Sequence, residues 1–355
     1  MAAEVTATFD SSTTTGASPL QVVILDVGHG NCTIIRDGNS SCVVDIPRDR
    51  GIIDAIIEND CAFIKHLVLS HPDEDHIGGA ARLLADPDVS IENFWCNSSA
   101  IQDTATYRDL LEQAALREDA GQTRYRNNLN VAVRDDLNFG RAQLEVIHPD
   151  VVRAGVGQTK KEHKFAKITS NGMSVVIRVS LDGIPAALLA ADIDSAGLRS
   201  IVNRGSDLSS PILVFPHHGG ATGGRDEQDF AETICRATSP NTVVFSLGRA
   251  RFNNPLPEIL EGVRTAAPSA HIACTQLSRR CHGESNPIPT TDNSGSSWPS
   301  RGNGKGHCCA GTIVLTRSAN GIEVSPSAAV HGAFVQRVSS AQCLIDLNSS
   351  TPSGG

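Results

Sequence analysis

Aromatic side chains are scarce, at 4% of the 355 residues, with two tryptophans and two tyrosines. A core built from this chain must therefore rest on Val, Ile, Leu and Ala. Long apolar runs are missing as well. The strongest, from Ile184 to Ala191, falls far short of the roughly 20 residues that a membrane-spanning helix needs, so no membrane association is expected. Excess positive charge is also lacking. Lys and Arg total 30 against 39 Asp and Glu, a net charge of -9. That balance argues against general coating of nucleic acid but leaves room for a local basic groove. The first residues show no charged start followed by an apolar core, so no secretory signal is expected. Ten cysteines are scattered without a compact framework. They read as reduced core residues of a cytoplasmic protein.

Against these absences one stretch stands out, residues 66 to 80. Within it His71, Asp73, Asp75 and His76 fall inside six positions. They follow an apolar run that reads as a buried strand, which Pro72 stops from continuing. The residues from Ile77 to Leu84 read as a helix packing closely through Gly78 and Gly79. The four groups then occupy a strand-to-helix turn. A helix N-terminus favours anions, so a cation held there depends on the side chains themselves. Mixed imidazole and carboxylate donors suit Zn, Mn or Fe better than an all-oxygen Ca site.

Residues 1 to 19 are rich in Ser, Thr and Ala and are expected to be disordered. One large domain is expected over residues 20 to 335, with an irregular, Cys-flanked insertion at about 276–311 and a poorly ordered tail over 336–355. Inside the domain, five strands end on a donor or polar anchor: Asp45, the 71–76 cluster, His148, Asp192 and the pair His217/His218. Strands sharing one sheet edge can bring such terminal side chains together although the sequence keeps them apart. His66 reads as a packed or surface residue. His29 lies in a Gly-His-Gly turn on the loop that should face the site. The lysine-rich stretch 160–167 and Arg124, Arg126 and Arg134 suit a phosphodiester backbone or an ordinary solvated surface equally well. Cys274, Cys281, Cys308 and Cys309 flank the insertion and could clip its ends with a structural zinc, or be buried thiols on neighbouring strands.

The His-x-Asp-x-Asp-His cluster, with Asp45 before it and Asp192 and Pro-His-His-Gly after it, resembles the metallo-β-lactamase superfamily. More narrowly, Leu25–Asn31, Ser70–Gly79, Leu144–Pro149, Ala191–Ile193 and His217–Gly219 are similar to the soluble hydrolase domain of ComEC-type DNA-uptake proteins and their stand-alone relatives. The resemblance covers roughly residues 20 to 270. It implies an α+β fold, the αββα sandwich in which two mixed β-sheets lie face to face with helices outside. It implies two divalent metal ions, Zn or Mn. One would be held by His71, Asp73 and His148, the other by Asp75, His76 and His218, with Asp192 bridging. Matching Pro-His-His-Gly to the superfamily's Pro-Gly-His-Gly makes His218 the ligand and leaves His217 to line the pocket and donate to a leaving group. Asp75 would also take the water's proton, and Asp45 would orient a ligand rather than bind metal. Asp73 stands where most of the superfamily has His, which makes Mn or Mg more plausible beside Zn. Asn31 stands where close relatives carry Asp.

The activity implied is metal-dependent hydrolysis of a phosphodiester, with single-stranded DNA or another nucleic acid as substrate. The alternatives are a small-molecule hydrolase acting on a lactone, thioester or cyclic nucleotide, and a binding module that holds metal without turnover. The sequence leaves open the natural substrate, the metal and the oligomeric state.

Overall fold

The computed structural model of the chain describes residues 19–97, 103–159, 168–249, 252–281 and 297–344. The lysine-rich stretch from 160 to 167, residues 1–18 and 345–355, and residues 282–296 of the insertion lie outside the described residues. The strands in chain order are β1 Leu20–Ile24, β2 Thr33–Asp37, β3 Ser40–Val44, β4 Phe63–Val68, β5 Ser90–Trp95, β6 Arg124–Arg126 and β7 Ala142–His148. They continue as β8 Val176–Leu181, β9 Ile184–Leu189, β10 Ile212–Val214, β11 Thr242–Phe245, β12 His271–Cys274, β13 Ile313–Ser318 and β14 Gly321–Ser325.

These strands form two mixed sheets. The first has the order β14-β13-β1-β2-β3-β4-β5-β6 and the second the order β12-β11-β10-β9-β8-β7. Side chains alternate between two buried faces. In β1, Val22 and Ile24 join the layer between the sheets, while Val23 and, just past the strand, Leu25 join the layer under the outer helices. In β11, Val244 faces the middle layer, and Val243 and Phe245 face the helices. Burial on both faces explains why the strands read as continuous apolar runs rather than as alternating ones. Helices such as Arg50–Glu58 and Pro257–Ala266 cover the outer faces with Ile52, Ile53 and Ile56, and with Ile259, Leu260 and Val263. The αββα sandwich implied by the resemblance is the architecture observed. The core is aliphatic, as the scarcity of aromatics requires, and each buried Val, Leu or Ile contributes about 1.5–3 kcal/mol.

Strand direction positions the site. β1 and β2, and β2 and β3, pair antiparallel, so β1 runs with β3, and β3 pairs parallel with β4. In the other sheet β9, β10 and β11 are parallel neighbours. The C-terminal ends of β1, β3 and β4 therefore share one edge of the first sheet, and those of β9, β10 and β11 share one edge of the second. Asp26, Asp45, His71, Asp192, His217 and Ser246 all lie just past those ends.

The pattern at Ile77–Leu84 resolves into two short helices, Glu74–Ile77 and Ala80–Ala85, joined at Gly78 and Gly79. At Gly79 a Cβ would come within 2.5 Å of the Pro47 carbonyl, so only glycine permits that approach. Part of the segment read as a fraying tail is ordered. Val338 and Ala341 are buried against the helix side of the second sheet, and Gln342–Leu344 is a 3₁₀ turn.

His66 on β4 is buried, and its Nδ1 accepts a 3.1 Å hydrogen bond from Trp95 Nε1. Burial, helped by the neighbouring Lys65, pushes its pKa down to about 4. The unfolded chain takes up this proton near the ordinary value of 6.5, whereas the folded chain excludes it until the pH falls much further. The stabilisation is therefore complete above pH 6.5 and is lost as the pH drops from there through 4. Urea unfolding at pH 7.5 and 5.5 should show the wild type losing about 1 kcal/mol more than His66→Gln, in which the amide keeps an acceptor for Trp95.

Candidate metal centre

The turn after β4 carries two donors whose direction is set by one buried carboxylate. Asp45, just beyond β3, accepts from the Ser70 backbone N–H at 2.8 Å and from the Ser70 hydroxyl at 2.7 Å. His76 Nδ1 lies 2.7 Å from Asp45 Oδ2, so that nitrogen carries the proton and donates it. The Ser70 hydroxyl spends its hydrogen on Asp45, so its oxygen accepts from His71 Nδ1 at 3.0 Å. On the facing sheet, His218 Nδ1 donates to the Ser246 carbonyl at 2.6 Å. In all three rings the Nδ1 proton is engaged, and Nε2 presents a lone pair. Each of these Nε2 atoms is buried without a hydrogen-bond partner among the described residues. Orphaned imidazole lone pairs cost free energy unless a cation or solvent meets them. A protonated Nδ1 held by a carboxylate or carbonyl is the usual support for a metal-binding Nε2.

The lone pairs converge on carboxylates. His76 Nε2 is 3.4 Å from Asp192 Oδ1, and His71 Nε2 is 3.9 Å from Asp192 Oδ2. His218 Nε2 lies 3.4 Å from Asp75 Oδ2 and 3.9 Å from Asp192 Oδ2. His29 Nε2 meets Asp75 Oδ2 at 2.9 Å, and its ring packs 4.5 Å from that of His218. Two donor trios close enough to share a cation result: His71, His76 and Asp192, and His29, Asp75 and His218. Asp192 reaches both. Burial opposes its negative charge, but His76 and His218 outweigh this and hold its carboxyl well below the usual range. Asp75 is likewise lowered, against burial, by His218 and His29.

The backbone at this edge is strained where the donors leave it. Asp45, Ala191, His217 and His218 have φ of 59°, 47°, 52° and 55°, in the left-handed region that non-glycine residues avoid. Such strain, about 1–3 kcal/mol per residue, persists where the surroundings over-determine it and is concentrated at functional sites. The Gly28–Asn31 turn is wedged against the cluster. At Gly30, with φ 125°, a Cβ would lie 2.4 Å from the Asp75 carbonyl, and Asn31 N–H donates to that same oxygen at 3.3 Å.

The residues singled out in the sequence fall as follows. His71, Asp75, His76, Asp192 and His218 are brought together. Asp73 stands beside them, with Oδ2 3.6 Å from His71 Nε2, though outside both trios. His76 groups with His71 rather than with Asp75. His148 is outside both trios: a register shift in β7 precedes it, and its Nε2 donates to the Gly172 carbonyl at 3.0 Å. His217 is held by its backbone N–H, which donates to Asp192 Oδ1 at 3.2 Å, and its Nδ1 is 3.6 Å from Asp192 Oδ2. His29 is the donor that spacing alone leaves without a ligand role, and the structure places it in a trio. Of the four cysteines flanking the insertion, Cys274, Cys281 and Cys309 line one small apolar cavity with Cys343. Cys308 turns the other way, towards Ser300 and Asp26. All ten cysteines are free, and among the described residues no thiol joins a group close enough to hold a metal.

A scan against models of known protein families matches none. The chain is 25% identical over 249 residues to the competence protein ComA of Neisseria gonorrhoeae, which covers 68% of this chain and 29% of the relative. The chain thus spans under a third of that protein's length. Among solved structures it is similar to Igni18, a metallo hydrolase from Ignicoccus hospitalis, at 16% identity and TM-score 0.42, over 72% of this chain and 94% of that one. It is also similar to the human short-form tRNase Z, at 9% identity and TM-score 0.36, over 62% and 91% of the two chains.

Proposed function

We propose that the chain is a metal-dependent hydrolase of phosphodiesters, with a dinuclear centre on the two trios joined by Asp192. The observation that carries this reading is the set of buried, partnerless Nε2 atoms of His71, His76 and His218 facing Asp75 and Asp192. The donor set fits divalent cations of the Zn and Mn type, being imidazole and carboxylate without thiolate. His71, His76 and Asp192 would hold one ion, and Asp75, His218 and His29 the other, with Asp73 in reach of the first. Such ions, when bound, acidify a water and draw charge from the oxygens of the group under attack.

The protein's own part is to orient and to move protons. Asp45 and the Ser246 carbonyl fix the imidazole tautomers, so no reorganisation is needed when substrate arrives. Asp75 is the candidate to take the proton of the attacking water. His217, whose Nε2 is buried without a partner, is the candidate to donate a hydrogen bond to the leaving oxygen. The similarity to a competence protein supports a nucleic acid strand as the substrate class.

The test is direct. Protein loaded with Mn or Zn should hydrolyse bis(p-nitrophenyl) phosphate, and Asp75→Ala should lower the rate about a hundredfold or more. Absence of turnover with every divalent metal tried, in protein that retains the metal, would overturn the proposal.

A further inference from the structure

A cavity of about 360 Å³ opens directly beside the metal centre. It is lined by His29 and Asp75 and by Arg48, Arg301, Lys305 and His307. Glu74 lines it as well, so Arg48, Arg301 and Lys305 stand against the carboxylates of Glu74 and Asp75. Arg48 faces Glu74 at 3.4 Å, and Arg301 Nε faces Asp49 at 3.5 Å, whereas Lys305 has no ion pair among the described residues.

Arg301, Lys305 and His307 belong to the C-terminal part of the insertion, which is fastened to the turn after β1 by one buried carboxylate. Asp26 Oδ2 accepts from Ser300 Oγ at 2.6 Å and from Gly302 N–H at 2.8 Å, while its Oδ1 accepts from Gln276 Nε2 at 2.8 Å. Arg301 N–H donates to the Asp26 carbonyl at 3.0 Å, and Arg301 Nη1 donates to the Val27 carbonyl at 3.0 Å. The guanidinium is thus set across the turn that presents His29. Charges held on a fixed wall next to reacting groups bind an anion without a large ordering cost.

Resting on the phosphodiesterase reading, we propose that this cavity takes the phosphate adjoining the one attacked. Arg301 and Lys305 would hold that neighbouring phosphate, so a substrate with consecutive phosphates is preferred over an isolated diester.

The probe is a fluorescein-labelled oligothymidylate of about 12 nucleotides, with an oligouridylate of equal length as the second arm to separate DNA from RNA. Binding to metal-loaded wild type, Lys305→Glu, Lys305→Ala and Lys305→Arg is measured by fluorescence anisotropy across a salt series. Charge reversal should weaken binding about tenfold and reduce the salt slope by about one, alanine should do less, and arginine should restore both. In turnover, kcat/KM for the strand should fall at least about tenfold more than kcat/KM for bis(p-nitrophenyl) phosphate, which has no second phosphate. Equal losses on both substrates, or unchanged strand binding in Lys305→Glu, would overturn the proposal. A wild type that hydrolyses the diester but does not bind the strand would overturn it too, while leaving the metal-centre reading intact. Charge-dependent strand binding without any hydrolysis would support this cavity and remove the hydrolase reading.

Discussion

Asp192→Asn is expected to strip the protein of both cations and to lower phosphodiester hydrolysis on the order of 10³-fold or more. The reason is geometric. One carboxylate lies 3.4 Å from His76 Nε2 on one oxygen and 3.9 Å from both His71 and His218 Nε2 on the other. Among the described residues no other carboxylate lies within 4.0 Å of imidazoles of both trios, so its removal fails both sites together. The amide keeps the volume and hydrogen-bonds, but it offers neutral oxygen to one ion and an N–H to the other. His71→Ala should, by contrast, cost one equivalent of metal. Elemental analysis after gel filtration separates the two outcomes. Retention of a full metal complement by Asp192→Asn would show that the trios are not joined through it.

Asp45→Ala should be damaging in a different currency. It removes the acceptor for the Ser70 N–H, the Ser70 hydroxyl and His76 Nδ1, all of them buried. Leaving buried donors unpaired costs about 1–3 kcal/mol each, so a loss of about 3 kcal/mol or more of folding stability is expected. Metal affinity should fall about 10–100-fold as well, because His71 and His76 lose the groups that fix their tautomers. Asp45→Asn keeps an oxygen for Ser70 and tolerates the left-handed φ of 59°. It should therefore recover most of the stability while staying impaired in metal affinity. Chemical denaturation of the metal-free protein and calorimetric metal titration measure the two quantities independently. Equal metal affinity in Asp45→Asn and wild type would remove Asp45 from any role in orienting the ligands.

Much of this was legible from residue order. Turn chemistry and buried runs place β3, β4, β9 and β10, and each is followed by one of the residues gathered at the shared edge. Strand and helix ends are legible because Gly, Pro and capping residues act locally. The helix Glu227–Thr238 is absent from the sequence reading although its signal is present. Asp226 caps the Asp229 N–H, and Phe230, Ala231, Ile234 and Cys235 recur at helical spacing. Its polar remainder and the preceding Gly-rich stretch dilute the apolar pattern.

The sequence by itself determined the candidate donors and the apolar runs that end on them, because spacing and period are local, and the motifs they form carry the resemblance that implied the layered architecture. Only the tertiary structure decided how the donors are shared out. His76 turns to His71 and Asp192 because Asp45 grips its Nδ1. His29 joins Asp75 and His218 because the Gly28–Asn31 turn is pressed onto the other strand's turn. His148 is in neither trio, its Nε2 donating to the Gly172 carbonyl while its Nδ1 is buried without a partner among the described residues. Cys343 replaces Cys308 beside Cys274 because neighbouring residues in an extended segment point to opposite sides. Direction, unlike residue type, is set by long-range hydrogen bonds and strained φ angles, and neither is written in local spacing.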